Sequence, residues 1–232
     1  GAAFMGYKPV VDIISADFLY RACDSICNTA AKANFARPDL PITLVIRAEF
    51  LTGGPTTGQR NEAMFAHVPG LNVVIPSTPR DAYGLMRTAL NTPGVTLFFE
   101  DREIQDDGFF LPSDMDVGRG NHHIHPGIAK WRDMGPRGSV TVVTYGIMRQ
   151  RVEALVKGWQ AEHPKPDRFD EMSLDCGIID LRSIYTLDYD LLRKALDRTG
   201  SLLIVEPDVQ HGGVGAEIAA WAAEERPGTR IK

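Results

Sequence analysis

The chain has 232 residues, 44% of them hydrophobic and 24% charged, with a formal net charge of -5 and a pI near 5.7. That balance suits one large globular domain or two modest ones, and it argues against a nucleic-acid partner held by phosphate neutralisation. No apolar run nears the roughly 20 residues needed to span a bilayer, and no basic-then-apolar leader opens the sequence, so neither a membrane nor a secreted protein is expected.

The first predicted element is a strand in KPVVDII (8–14). From Asp17 the run DFLYRACDSICNTAAKANF places Phe18, Ala22, Ile26 and Ala30 at four-residue spacing, a helix with one apolar stripe. Cys23 and Cys27 fall on that helix and Cys176 in a later strand; three such thiols make no disulfide framework and too few ligands for a metal. PITLVIRAEF (41–50) is a strong strand, followed by the glycine-rich loop TGGPTTGQ (52–59) and a short helical pattern through Phe65. In HVPGLNVVIPSTPRDAYGL (67–85) the apolar run Leu71 to Ile75 makes a short buried strand that Pro76 closes. Thr78 then suits an N-cap, Pro79 the first helical position, and Asp81 the positive helix end. That helix runs to about Asn91, and VTLFFED (95–101) closes the first set.

No period holds across 102–138, where glycine, proline, aspartate and histidine dominate. A second alternating set begins at SVTVVTYG (139–146), with a helix through about Gln160 and a polar excursion at 162–173. LDCGIIDLRSI (174–184), a helix in DYDLLRKALDRTG (188–200), the strand SLLIVEPD (201–208) and GGVGAEIAAWAAEE (212–225) complete it. The alternation implies an α/β protein of two parallel-sheet domains. The first is placed at 1–110, a linker at 111–138, and the second domain at 139–232.

Several constellations invite a functional reading. GGVGAEIAA lacks dinucleotide-loop spacing, so its glycines are expected to serve strand-to-helix packing, although a helix N-terminus there could accept an anion. HHIH (122–125) sits in the linker stretch with no other ligand cluster near it, and solvated or locally hydrogen-bonded histidines are the favoured reading. Glu206 and His211 flank a loop at a strand end, a candidate site edge. RAEFLTGGPTTGQ (47–59) is the most suggestive loop, because its glycines let backbone N–H groups approach a ligand closely, although a plain connecting loop fits the composition equally well. Residue chemistry alone reaches a two-domain α/β protein with ligand sites at strand ends.

GYKPVVDIISADFLYRACDSICNTAAK and, above all, HVPGLNVVIPSTPRDAYGLMRTAL resemble the pyrimidine-binding domain in the beta subunits of thiamine diphosphate-dependent 2-oxo acid dehydrogenases, within the transketolase-like family. TVVTYGIMRQRVEAL, IIDLRSIYTLDYDLL and TGSLLIVEPDVQHGGVGAEIAA resemble the C-terminal domain of the same subunits, in order. The resemblance implies two three-layer α/β domains and a beta-type subunit that works with an alpha partner as an α2β2 assembly. It also implies passage of the acyl group to a lipoyl-bearing acyltransferase component. Thiamine diphosphate with Mg2+ would be held mainly by the alpha partner. By the same resemblance Phe18 stacks on the aminopyrimidine and Ile14 lines its pocket, where core packing would otherwise be assumed. Thr56, Thr57 and Gln59 would be the substrate-side loop, and a structural K+ would be held through backbone carbonyls near Ala89 and Leu90. A bacterial cytoplasm or a mitochondrial matrix would be its compartment.

Three departures accompany the resemblance. The family's essential glutamate would fall upstream of Gly1, so no catalytic residue is expected in the chain as given. RPGTRIK stops where the family continues through a further strand, so the sequence is expected to be part of a longer polypeptide or a degenerate copy. Thr56, Thr57, Gly58 and Gln59 stand where the family has a His-His-Ser-Gln run, and threonine cannot switch charge near neutral pH. Two alternatives therefore stay open: a divergent transketolase-like ketol or acyl transferase, and a non-catalytic assembly or regulatory relative.

Overall fold

The computed structural model describes residues 1–51, 54, 57–106, 124–134, 140–163 and 175–232. It divides into two units, one made of Gly1–Ile128 with Arg182–Leu187, the other of Ala129–Leu181 with Asp188–Lys232. In the first unit a 3-10 turn, Ala2–Met5, precedes strand β1 (Val10–Ile13) and a second 3-10 turn, Ala16–Phe18. Helix α1 (Leu19–Asp24), a π-helical segment Ser25–Ala30 and α2 (Ala33–Ala36) follow. Then come β2 (Thr43–Phe50), α3 (Glu62–Ala66), β3 (Leu71–Val74), α4 (Pro79–Asn91), β4 (Gly94–Asp101) and α5 (Arg102–Asp106).

The four strands lie parallel in the order β1-β2-β4-β3, with Val10 opposite Val45, Thr43 opposite Gly94 and Leu71 opposite Val95. Val95, Thr96, Leu97, Phe98 and Phe99 are all buried, as an inner parallel strand covered on both faces requires. Val45, Val74, Leu85, Ala89, Phe98 and Ile124 form the core beneath α4, with Ala82, Met86 and Leu90 against them. The start of α4 is built as its sequence implies. Thr78 Oγ1 accepts the Asp81 N–H at 3.1 Å, Pro79 stands in the first turn, and Asp81 is buried.

The predicted helix after Asp17 needs correction. A π turn interrupts it, with the Ala31 N–H donating to the Ile26 carbonyl five residues back at 2.9 Å. The extra residue rotates the apolar stripe beyond it, so that Ala31 and Ala33 are buried. Upstream, Phe18 belongs to the 3-10 turn before α1 and lies outside the core.

The segment Arg182–Leu187 completes the first unit. The Ile75 N–H donates to the Arg182 carbonyl at 2.8 Å, the Ile184 N–H to the Val73 carbonyl at 3.0 Å, and Val74 and Ser183 form an antiparallel bridge. The Arg182 guanidinium reaches Asp81 Oδ1 at 3.2 Å and the Ile128 carbonyl at 2.8 Å. Arg182 and Thr186 both sit at positive φ, 57° and 67°, a conformation that non-glycine residues adopt only when their surroundings impose it.

The second unit contains β5 (Lys130–Asp133), β6 (Val140–Thr144), α6 (Ile147–Glu162), β7 (Cys176–Asp180), α7 (Tyr189–Thr199), β8 (Ser201–Val205), α8 (Val214–Glu225) and β9 (Arg230–Ile231). Its sheet order is β5-β7-β6-β8-β9, parallel except for β5, which runs antiparallel to β7. One expectation changes here. The stretch read as linker contributes β5, a mostly exposed edge strand whose KWRD sequence gives no apolar alternation. Within RPGTRIK a short strand, β9, pairs with β8. Met134, Val142, Val156, Cys176 and Ile178 form one core cluster of this unit. Gly177 leaves room for Trp131, since a Cβ there would lie 2.3 Å from the indole. Glu153 gathers Arg132, Arg149 and Lys157 at 2.9, 2.8 and 2.7 Å; against the upward push of burial, these cations hold its carboxyl below the usual range.

Candidate functional site at the carboxyl edge of the first sheet

Ligands of open α/β sheets bind outside the carboxyl ends of the strands, and the residues singled out by the sequence gather there in the first unit. β1 hands over to Ile14, which is 68% exposed, and then to Ser15, which is fully buried. Ser15 caps the turn Ala16–Phe18: its Oγ accepts the Asp17 N–H at 3.3 Å and donates to Asp17 Oδ2 at 2.8 Å. Buried Ala16 and Leu19 anchor the turn on either side, which leaves Phe18 52% exposed. Neither Ile14 nor Phe18 is a core residue, so the default packing explanation for them does not hold.

The second arm of the site is the chain leaving β2. Thr57 is half-buried and forms an isolated bridge with Gly54, and Gly58 follows at φ 95°. A Cβ at Gly58 would lie 2.7 Å from the Leu51 carbonyl oxygen, so only glycine fits there. The Gly58 N–H donates to Asp17 Oδ2 at 3.2 Å, which joins this loop exit to the turn bearing Phe18. Gln59 is exposed. The Arg60 guanidinium lies 3.5 Å above the Phe50 ring, which stacks on Phe99 at 4.7 Å. It also donates to Asp101 at 2.5 Å and to the buried Glu62 at 3.0 Å. Asn61 Nδ2 donates to the Ala16 carbonyl at 2.8 Å, a second link back to the turn. Thr56 lies outside the described residues.

Chemically, Ile14 and Phe18 offer an apolar and an aromatic face at a strand end. Thr57 and Gln59 offer neutral hydrogen-bonding groups that exchange no proton near neutral pH. On the strands themselves Arg47 pairs with Glu100 at 2.5 Å and approaches Asp12 at 3.8 Å. Burial pushes the Glu100 carboxyl above its ordinary range in spite of Arg47. Ala89 and Leu90 are not part of this gathering. They occupy the last turn of α4, which runs back across the sheet, so they stand near the opposite edge, where β4 begins. Carbonyls of a last turn have no intrahelical partners, which suits backbone ligation of a cation.

The sequence pointed to Phe18, Ile14, Thr57 and Gln59 but missed Asp17, Arg60 and Asn61, which tie them together. Their partners lie tens of residues away, and no local pattern reports such distances. Ser15-Ala16-Asp17 did carry a local capping signal.

In the second unit, Glu206 accepts the Gly215 N–H at 2.9 Å and the Tyr145 hydroxyl at 3.3 Å. The anion at the start of α8 is thus the chain's own carboxylate. A Cβ on Gly215 would meet Glu206 Oε1 at 2.6 Å and Ile204 at 2.9 Å, so the glycines there serve close packing. Burial raises the Glu206 carboxyl, Gly215 opposes this, Asp208 adds to it, and Tyr145 opposes it. His211 is exposed, and Glu206 is turned to the helix. Of HHIH, His122 and His123 lie outside the described residues, and His125 is exposed. Among the described residues no group of three or more His, Cys, Asp or Glu side chains could hold a metal.

Family comparisons match this two-unit layout. The description "Transketolase, pyrimidine binding domain" covers residues 1–105, and "Transketolase, C-terminal domain" covers residues 129–231. The chain belongs to the transketolase-like proteins, carrying a pyrimidine-binding domain followed by the C-terminal domain of that family. Within them its relatives are beta subunits of 2-oxo acid dehydrogenases. It is 31% identical to the 2-oxoisovalerate dehydrogenase subunit beta of Bacillus subtilis (strain 168), over 97% of this chain and 64% of that protein. It is also 31% identical to the pyruvate dehydrogenase E1 component subunit beta of Rickettsia felis, over 97% of this chain and 65% of that one. The fold is shared with a solved split-gene transketolase described as an inactive beta4 tetramer, at TM-score 0.75 and 21% identity, over 99% of this chain and 66% of that chain. The chain therefore spans a little under two thirds of the length of these curated relatives.

Proposed function

We propose that this chain is the beta-type part of a thiamine diphosphate-dependent 2-oxo acid dehydrogenase. It would supply the pyrimidine side of a cofactor site completed by an alpha-type subunit in an α2β2 assembly. The observation that carries the reading is the exposed Phe18 ring at the carboxyl end of β1, with Ile14 four residues before it. A flat aromatic face and an aliphatic wall suit an aminopyrimidine, which they would orient and shield from water. Bound there, thiamine diphosphate would supply the carbanion-stabilising chemistry of decarboxylation, and the alpha partner would hold its diphosphate and Mg2+. Thr57 and Gln59 would present hydrogen bonds to the substrate. The acyl group would leave to the lipoyl arm of an acyltransferase component, and K+ near Ala89 and Leu90 would be structural.

The test is to purify the chain with an alpha-type partner and assay a panel of 2-oxo acids with an artificial electron acceptor. Thiamine diphosphate-dependent turnover of at least one supports the reading, and turnover of none overturns it. The second reading, a ketol or acyl transferase, is favoured by the absence of an imidazole at Thr57 and Gln59. It predicts turnover of ketose donors in place of 2-oxo acids. Turnover of neither would leave the third reading, an assembly subunit.

A further inference from the structure

We propose that Asp17 and Asn61 are positioning residues: together they lock the turn that carries Phe18 to the exit of the glycine-rich loop and so set the spacing between Phe18 and Gln59. This rests on the function proposed above, in which those two side chains face the cofactor and the substrate.

The lock is reciprocal. A side chain of the turn, Asp17, takes a backbone N–H of the loop, that of Gly58, at 3.2 Å. A side chain of the loop, Asn61, gives to a backbone carbonyl of the turn, that of Ala16, at 2.8 Å. The two bonds join segments 41 and 45 residues apart and enclose Gln59 between them. Each end is itself held. Ser15, fully buried, aims the Asp17 carboxylate at 2.8 Å, and Gly58 can turn its N–H toward Asp17 only in a left-handed conformation closed to other residues. Between Gln59 and Asn61, Arg60 is clamped on the Phe50 ring and by Asp101 and Glu62. Asn61 is buried with its Oδ1 unpaired among the described residues. A buried acceptor without a partner is a standing cost, which an aliphatic residue would avoid if Asn61 only filled space.

The experiment uses the protein assembled with its alpha-type partner and compares Asp17→Ala, Asp17→Asn and Asn61→Ala with the unaltered chain. Amide hydrogen exchange is read over 16–18 and 57–61, and KM and kcat are read for the 2-oxo acid turned over. Asp17→Ala and Asn61→Ala should each raise exchange in both segments by about tenfold, and raise KM by more than they lower kcat. Asp17→Asn should stay within about threefold of the unaltered chain, because an amide oxygen still accepts from Gly58 and Ser15. Unchanged exchange at 57–61 in Asp17→Ala would overturn the lock, and so would an Asp17→Asn as impaired as Asp17→Ala. Should the unaltered assembly turn over no 2-oxo acid, the proposed function fails, while the exchange measurement still decides the lock.

Discussion

Two neighbouring residues, Phe18 and Leu19, separate the proposed site from the core. Leu19 is fully buried and Phe18 is half in solvent, so truncating them should have opposite consequences. Leu19→Ala should cost about 2–5 kcal/mol, the usual penalty for a core cavity. Phe18→Ala should change stability by less than about 1 kcal/mol while weakening thiamine diphosphate binding in the assembled protein. Denaturant titration and cofactor titration of the two variants read the two quantities separately; a Phe18→Ala variant that binds cofactor normally would remove that ring from the site. The paired thiols make a chemical prediction. The sulfurs of Cys23 and Cys27 lie 3.7 Å apart, and Cys27 is pushed up to about 11, first by burial and then by Cys23. The Cys27 thiolate is scarce under those conditions, so alkylation of Cys27 in the native protein by iodoacetamide at neutral pH should be far slower than after unfolding, as peptide mass spectrometry would read. The buried pair Asp81 and Arg182 belongs here too. Asp81→Ala would strand a buried guanidinium and should cost about 3–5 kcal/mol by denaturant titration.

Among the elements, those whose cause is local were legible in the sequence. The start of α4 needed only Thr78, Pro79 and Asp81, and the inner strand β4 announced itself by a run from Val95 to Phe99 that is apolar except for Thr96. The π turn at Ser25–Ala30 was not legible, because one inserted residue rotates a stripe without altering composition. Nor was β5, whose exposed residues owe their conformation to pairing with β7. The same line divides the site. Ile14, Phe18 and the glycine-rich loop could be named from sequence, whereas the contacts of Asp17 and Asn61 required the folded chain. Helices in the second unit give a matched pair of substitutions. Gly158 lies inside α6 with open space at its Cβ position, so Gly158→Ala should stabilise by about 0.5–1 kcal/mol. Gly215→Ala drives a methyl into Glu206 and Ile204 and should destabilise by about 1–3 kcal/mol. The strand end holding Glu206 also makes stability depend on pH. A carboxyl raised in the folded state keeps its proton after the unfolded chain has released its own. Stability therefore falls as pH rises from the ordinary glutamate range through the raised value, and is level beyond it. Glu206→Gln should flatten that slope in thermal melts taken across the interval.

For the whole molecule, the distribution of exposed apolar side chains matters most. Phe4, Met5, Tyr7, Val10, Val11 and Ile14 all stand in solvent, and β1 is an edge strand of the first sheet. Exposed apolar edges favour association, so the chain expressed alone should form higher oligomers or aggregate. Co-expression with an alpha-type partner should bring it to a defined heterotetramer, a difference that light scattering on a sizing column would display. A monodisperse monomer would count against any partner on that edge. The segment Arg182–Leu187 carries a last consequence. Because the first unit recruits its closing bridge, and the partner of Asp81, from beyond β7, a ribosome must deliver the chain past Leu187 before that unit can finish folding. Autonomy in evolution is constrained in the same way. The pyrimidine-binding half cannot be excised as an interchangeable cassette, and a gene split between the two family domains would yield one product with a missing stitch.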